Sequence, residues 1–259
     1  MQEQVHIIPL GFEISRATAP FEKRRLFAHR AYILTVPPPR GGRESENRRR
    51  GEYCIQETIR RLKALTIGVE RVDLDLFDLR AVMGTVSGLI RKERADRNSV
   101  YVNMSASGRL TSVGATLAGM VHGAQVYYVS AEGYFPNPKE EREFGQSICR
   151  SGEVTVLENF KFELPDARAM KVLGKLDGEK KPMSTRDLLG FLREEKVEGF
   201  EQEYKKMERG DKINYLMKLS KGILEKLEDA GYVEVKREGK HNRISITEAG
   251  RHIAAIGGG

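Results

Sequence analysis

Apolar and polar positions follow one rhythm over the first half of this chain and another over the second. From Gln4 to Val129, short apolar runs alternate with longer stretches of helical spacing. Gln4–Pro9, Ala31–Val36, Val69–Phe77, Asn98–Met104 and Ala124–Val129 read as strands. Between them, Ala19–Ala28, Arg48–Ala64, Leu79–Ala95 and Leu110–His122 read as helices, with Asp78 suited to cap the third. Strand and helix in regular alternation predict a doubly wound parallel sheet. One more strand is expected in Val154–Phe162, before Pro165 and Asp166 open a different pattern.

Beyond Asp166 helices dominate. Asp166–Leu176 is the first, and Ser184 with Asp187 resembles a capping box at the start of the second. A long helix is expected from Asp211 to Ala230. At about 100° per residue, Ile213, Leu216, Met217, Ile223, Leu224 and Leu227 share one face, and Asn214, Tyr215, Lys218, Lys221 and Glu225 the other. A hairpin follows, from Gly231 to Thr247 with a basic tip, and then a short helix from Glu248 to Ile256. That order is the order of a winged helix-turn-helix, in which one helix enters the major groove and the wing meets the backbone or the minor groove.

The fold class expected is therefore α/β, a Rossmann-like doubly wound parallel sheet followed by a C-terminal winged helix-turn-helix. The domains expected are a ligand-sensing one over 1–135, a connector with one strand over 136–165, and a DNA-binding one over 166–259.

Composition narrows the classes of function. The 259 residues are 39% hydrophobic and 31% charged, with no apolar run long enough to span a bilayer. Polar Met1–Gln4 lead directly into the first strand without the features of a signal peptide, so a cytoplasmic protein that does not engage membranes is expected. Cys54 and Cys149 stand far apart without metal-ligand spacing, which predicts buried thiols, no disulfide and no metal site. No resident cofactor is expected either, since no G-x-G-x-x-G follows the first strand.

The net charge of +7 admits an anionic partner without identifying one. It is also evenly spread, +4 over the first 165 residues and +3 over the rest, so local placement has to carry the case for DNA. Lys218 and Lys221 on the long helix, and Lys236, Arg237, Lys240, His241 and Arg243 on the wing, are the candidate phosphate contacts. Asn214 and Tyr215 are the candidates for base contacts. The loop cluster Arg40, Arg43, Arg48, Arg49 and Arg50 reads either as solvated or as a phosphate partner.

In a doubly wound sheet, ligands bind beyond the carboxyl ends of the strands, where the strand order reverses. Two turns qualify: Pro9, Leu10, Gly11, Phe12 and Glu13, and Asn103, Met104, Ser105, Ala106, Ser107, Gly108 and Arg109. The second offers an amide, two hydroxyls, a forked cation and the N–H groups of a helix start, a set that fits an anionic ligand. The bland alternative is that Ser105 or Ser107 caps the helix and Arg109 is solvated.

Leu224–Glu234 followed by Ile246–Gly250 closely resembles the recognition helix, wing and closing helix of prokaryotic winged-helix regulators. The first half, with Val5–Glu13 and Val100–Arg109, resembles a CARF domain, the CRISPR-associated Rossmann fold. The whole chain is similar to archaeal CARF–winged-helix transcriptional regulators. The resemblance implies a homodimer whose two CARF domains form one pocket for a nucleotide-derived effector such as a cyclic oligoadenylate, with the two turns above lining it and double-stranded DNA as the second partner. Many members carry a Gly-Gly-Thr-Lys type turn where this chain has Ser105–Arg109, an exchange that keeps a phosphate partner but changes its geometry.

Some CARF domains cleave the cyclic oligonucleotide they bind, and Ser105, Ser107 and Arg109 offer phosphate contacts for that alternative. No general base accompanies them, so no catalytic residue is assigned and the chain is expected not to be an enzyme.

Overall fold

The computed structural model describes residues 2–37, 45–160, 162–239 and 241–258, and divides the chain into two compact units, Met1–Phe162 and Glu163–Gly259. Five strands of the first unit run parallel: β1 (Gln4–Pro9), β2 (Arg30–Thr35), β3 (Gly68–Asp73), β4 (Ser99–Asn103) and β5 (Gln125–Val129). The connecting helices are α1 (Ile14–Glu22), α2 (Glu46–Ala64), α3 (Leu79–Ala95) and α4 (Arg109–Val121). After a small hairpin of β6 (Gly133–Tyr134) and β7 (Ser147–Ile148) around α5 (Pro138–Phe144), β8 (Val154–Val156) joins the edge of the sheet antiparallel to β5. The sheet order is β3-β2-β1-β4-β5-β8. The chain winds outward from β1 in one direction through β2 and β3, then restarts at β4 and winds in the other, so β1 and β4 flank the switch point.

Both faces of the central strands are covered, which is why β1 and β2 read as continuous apolar runs, whereas the edge strand β3 alternates and keeps exposed positions. Ile7, Leu34, Val102 and Val126 pack with α3 and α4 through Val82, Val86, Ile90, Ala115 and Ala118. On the other face Ile8, Ala31 and Ile33 pack with Ala17, Phe21, Ile55 and Leu62 of α1 and α2. Gly119 lets α4 settle on the sheet, since a Cβ there would stand 2.7 Å from Val126 Cγ2. The small residues of α4 thus serve packing inside the unit.

Three element expectations shift. α1 begins at Ile14 and ends at Glu22, earlier than the expected Ala19–Ala28, because Arg24 takes a left-handed conformation (φ 54°) that ends the helix. β3 stops at Asp73, where Leu74–Phe77 turns toward the cap residue Asp78, whose carboxylate accepts from the N–H groups of Arg80 and Ala81. β8 covers only the first three residues of the expected strand.

The second unit contains α6 (Ala167–Gly178), β9 (Met183–Ser184), α7 (Thr185–Glu194), α8 (Arg209–Leu219), a π-helical turn (Ser220–Leu224), α9 (Glu225–Asp229), a hairpin of β10 (Val233–Glu238) and β11 (His241–Ile246), and α10 (Glu248–Gly257). β10, β11 and β9 form a three-stranded sheet. Asp166 caps α6, and the capping box of Ser184 and Asp187 opens α7. Leu173, Leu188, Leu192, Phe200, Leu219, Ile223, Leu227 and Ile244 form the core. No helix among the described residues is long and apolar enough to cross a membrane.

Candidate functional site

The two sequence-predicted turns meet at the switch point. The Gly11 N–H donates to the Ala106 carbonyl at 2.8 Å, and a Cβ on Gly11 would sit 3.6 Å from Ser107 Cα. Adjacent parallel strands deliver both turns to the same end of the sheet, which is why residues so distant in sequence touch.

Within this pair of turns the side chains separate into a buried frame and an open rim. Asn103 and Ser105, expected as ligand contacts, are buried, and the protein itself occupies their polar groups. Asn103 Nδ2 donates to the Arg16 carbonyl (3.0 Å), and its Oδ1 accepts from Ser105 N–H (2.8 Å) and Ser105 Oγ (2.7 Å). Ser105 Oγ also accepts from Val129 N–H at 3.0 Å. Pro9, Leu10 and Ala106 are buried as well, while Gly11, Phe12, Met104 and Ser107 are half-buried. Gly108 and Arg109 are exposed at the start of α4. Neither serine caps that helix: Gly108 is the N-cap, with no side-chain cap, and Ser107 Oγ lies 3.4 Å from Ser112 Oγ. The first N–H groups of α4 have no intrahelical acceptor by construction.

Beneath the rim lies a charged group that sequence reading did not single out. Arg16 is buried in α1, with Nε donating to Ser147 Oγ (3.0 Å), Nη1 donating to the Ser105 carbonyl (3.3 Å) and its guanidinium 5.2 Å from the centre of the Tyr128 ring. Ser147 Oγ in turn donates to Glu13 Oε1 at 2.9 Å, while Glu13 Oε2 has no hydrogen-bond partner among the described residues. Burial pushes the Glu13 carboxyl above its ordinary range, against the opposing pull of Ser147, Arg16 and Arg50. Arg50 lies over the Phe12 ring at 4.5 Å and pairs with Glu141. Arg16 gave no signal in the sequence because it lies before the helix expected over Ala19–Ala28, and its partner Ser147 is remote along the chain. Of the other loop arginines, Arg40 and Arg43 lie outside the described residues. Cys54 and Cys149 are buried thiols, pushed up to about 11 by that burial.

The second candidate surface is the winged-helix face. Asn214, Lys218 and Lys221 are exposed, and Lys218 Nζ lies 5.4 Å from the centre of the Phe200 ring. Tyr215 is corrected: it is 8% exposed, its ring is 5.5 Å from that of Phe200, and its hydroxyl donates to the Gln202 carbonyl at 3.2 Å. The expected single helix is interrupted by the π-helical turn. One extra residue in that turn rotates everything before it by roughly 100° against everything after it. Projection from Ile223, Leu224 and Leu227 therefore misplaced α8, whose buried side holds Tyr215 and Leu219 and whose exposed side holds Ile213 and Met217.

On the wing Lys236 and Arg237 are exposed, and Lys236 Nζ pairs with Glu234 at 2.9 Å. Arg243 is half-buried and pairs with Glu238 at 3.3 Å. Lys240 and the side chain of His241 lie outside what is described.

Two family models match. One described as HFX_2341-like, N-terminal, covers residues 4–134, and the DUF6293 C-terminal winged helix domain covers residues 168–258. No curated protein matches the chain. Among solved structures, protein VC1899 from Vibrio cholerae is similar at 11% identity and a TM-score of 0.39, covering 97% of this chain and 64% of its own. Can2 from Sulfobacillus thermosulfidooxidans, in complex with cyclic tetra-adenylate, is similar at 9% identity and a TM-score of 0.38, covering 97% and 63%. A Type III CRISPR defence DNA nuclease activated by cyclic oligoadenylate is similar at 14% identity and a TM-score of 0.37, covering 96% and 39%. The chain spans less than two thirds of the length of each. The expectation of a non-enzyme is contradicted by the comparisons, in which a DNA nuclease stands among the structures this chain is similar to. With the first model matching just over half of its residues, the chain belongs to the HFX_2341-like N-terminal family, and its residues 168–258 match the DUF6293 C-terminal winged helix domain.

Proposed function

We propose that this protein is a ligand-responsive DNA-binding transcriptional regulator, a cytoplasmic homodimer whose CARF-like domain (1–135) senses a nucleotide-derived effector. Most of the expected connector (136–165) folds into the first compact unit, which runs to Phe162, and the DNA-binding domain expected over 166–259 follows it. The observation that carries the sensing half is the meeting of the two turns at the switch point through Gly11 and Ala106, with Gly108, Arg109 and the start of α4 open above a fixed frame. Backbone N–H groups, a helix N-terminus and a guanidinium suit phosphate oxygens. The CARF resemblance of the sequence supplies the ligand class, a cyclic oligonucleotide or another nucleotide derivative. Exposed apolar side chains support the dimer: Leu110 and Val113 on α4, and Phe77, whose turn is held to α4 by Thr111 Oγ1 donating to the Leu76 carbonyl at 2.7 Å.

The DNA-binding half rests on the winged-helix unit and on Asn214, Lys218, Lys221, Lys236 and Arg237 exposed on its helix and wing. Effector and DNA are coupled when the effector binds two dimer arrangements with different affinity; equal affinity shifts nothing. The decisive measurement is binding to the protein's own promoter region under salt titration, wild type against Lys218→Ala/Lys221→Ala. Loss of two phosphate contacts lowers the salt slope by roughly 2. Unchanged affinity and slope would remove the proposed DNA face. Mass spectrometry of ligand extracted from purified protein identifies the effector. Incubation with labelled cyclic oligoadenylates, read for linear product, separates sensing from cleavage.

A further inference from the structure

α8 displays two large apolar side chains in the middle of its basic face. Ile213 is 51% exposed and Met217 45% exposed, one turn apart. Asn214, Lys218 and Lys221 are exposed beside them. At about 100° per residue, the four positions within α8, Ile213, Asn214, Met217 and Lys218, fall within an arc of roughly 140°, and the buried Tyr215 and Leu219 lie on the opposite side. Single exposed apolar residues need no explanation. An i,i+4 pair framed by an asparagine and a lysine on this helix, with Lys221 exposed in the turn that follows, is a patterned surface.

The chemistry of that surface matches one kind of base pair. In the major groove the only apolar group on a base edge is the thymine C5-methyl, and asparagine is the side chain that pairs bidentately with adenine N6 and N7. Lysines on the same stripe meet the flanking phosphates. A second copy of the chain is the competing occupant. In a two-fold interface the same patch meets itself, which would bring the lysines of both copies into one buried contact. Charge therefore favours DNA.

We propose that Ile213 and Met217 contact thymine methyl groups while Asn214 reads an adjacent adenine, so that this helix selects A·T base pairs. The inference rests on the DNA-binding reading above and adds sequence preference to it.

The test uses the full chain and duplexes selected by it from a random library, with each thymine then replaced singly by deoxyuridine. Removing a contacted methyl weakens binding by about fourfold. In Ile213→Ala/Met217→Ala that sensitivity disappears, while the salt slope and the unfolding midpoint stay at wild-type values because both side chains are exposed. Asn214→Ala relaxes the preference for adenine at one position. Selected duplexes without fixed A·T positions, or duplexes bound equally well with deoxyuridine throughout, would overturn the inference and leave the proposed function standing. Self-association that weakens in the double variant, with no deoxyuridine effect, would overturn it in favour of a second copy. No duplex retained at any salt concentration would overturn both readings.

Discussion

Asn103 Oδ1 accepts two hydrogen bonds from Ser105, from its N–H at 2.8 Å and its Oγ at 2.7 Å, and so closes the turn at the end of β4 on itself. With Asn103 Nδ2 on the Arg16 carbonyl, the same amide ties that turn to α1. These two residues shape the candidate effector site from beneath, and the ligand-facing positions are the ones they hold in place.

Asn103→Ala removes all three bonds inside a buried setting. At about 1 kcal/mol net for each bond, with extra cost for groups left unpaired, the loss is about 3 kcal/mol. Urea unfolding followed by circular dichroism measures it. A variant as stable as the wild type would mean that this amide does not hold the turn.

Arg109 stands in the opposite position, exposed at the rim. Arg109→Ala leaves stability within about 0.5 kcal/mol, as surface changes do. It weakens the response of DNA binding to the effector and leaves effector-free DNA binding intact. Loss of effector-free binding in a folded variant would count against the assignment of this turn to sensing.

His6 gives the first unit an acid-sensitive element. It is buried, stacks on Tyr101 with ring centroids 4.7 Å apart, and approaches the Phe27 carbonyl through Nε2 at 3.0 Å and Tyr127 Oη through Nδ1 at 3.2 Å. A carbonyl only accepts, so Nε2 carries the proton and Nδ1 accepts from Tyr127. Burial lowers the pKa from 6.5 to about 4. The unfolded chain takes up a proton below 6.5 and the folded one does not until about 4, so the stability this neutral ring contributes is present above 6.5 and is lost as pH falls through that window. The loss approaches 1.4 kcal/mol per pH unit, about 3 kcal/mol in all. His6→Gln has a shallower pH dependence there by one proton. Identical slopes for the two proteins would refute this.

Tyr215 separates core from interface in the second unit. Tyr215→Ala costs about 3–5 kcal/mol, as large core truncations do. Tyr215→Phe loses only the bond to the Gln202 carbonyl, about 1 kcal/mol. Both changes are read by thermal unfolding, and Tyr215→Phe keeps DNA binding. A full loss of DNA binding in a stable Tyr215→Phe would return this residue to the interface.

Much of the fold was legible because its signals are local. Asp78 and Asp166 cap the helices that follow them, and Ser184 with Asp187 forms the expected box, since a cap needs only residues two or three apart. Apolar runs without alternation marked strands covered on both faces. The π-helical turn left no such mark: its sequence, Ser220–Leu224, is compatible with an ordinary helix.

The sequence by itself determined the order of the main strands and helices, the two kinds of domain, and the two turns at which a doubly wound sheet opens, because periodicity and turn chemistry are properties of neighbours along the chain. Only the tertiary structure decided which residues of those turns face inward. Asn103 and Ser105 looked like ligand groups and became the frame, Arg16 lay in no expected element and became their buried partner, and Tyr215 exchanged sides with Met217. Each of these outcomes depends on a contact between distant segments or on a helical phase set by packing, and a buried polar side chain takes the direction in which its hydrogen bonds can be completed.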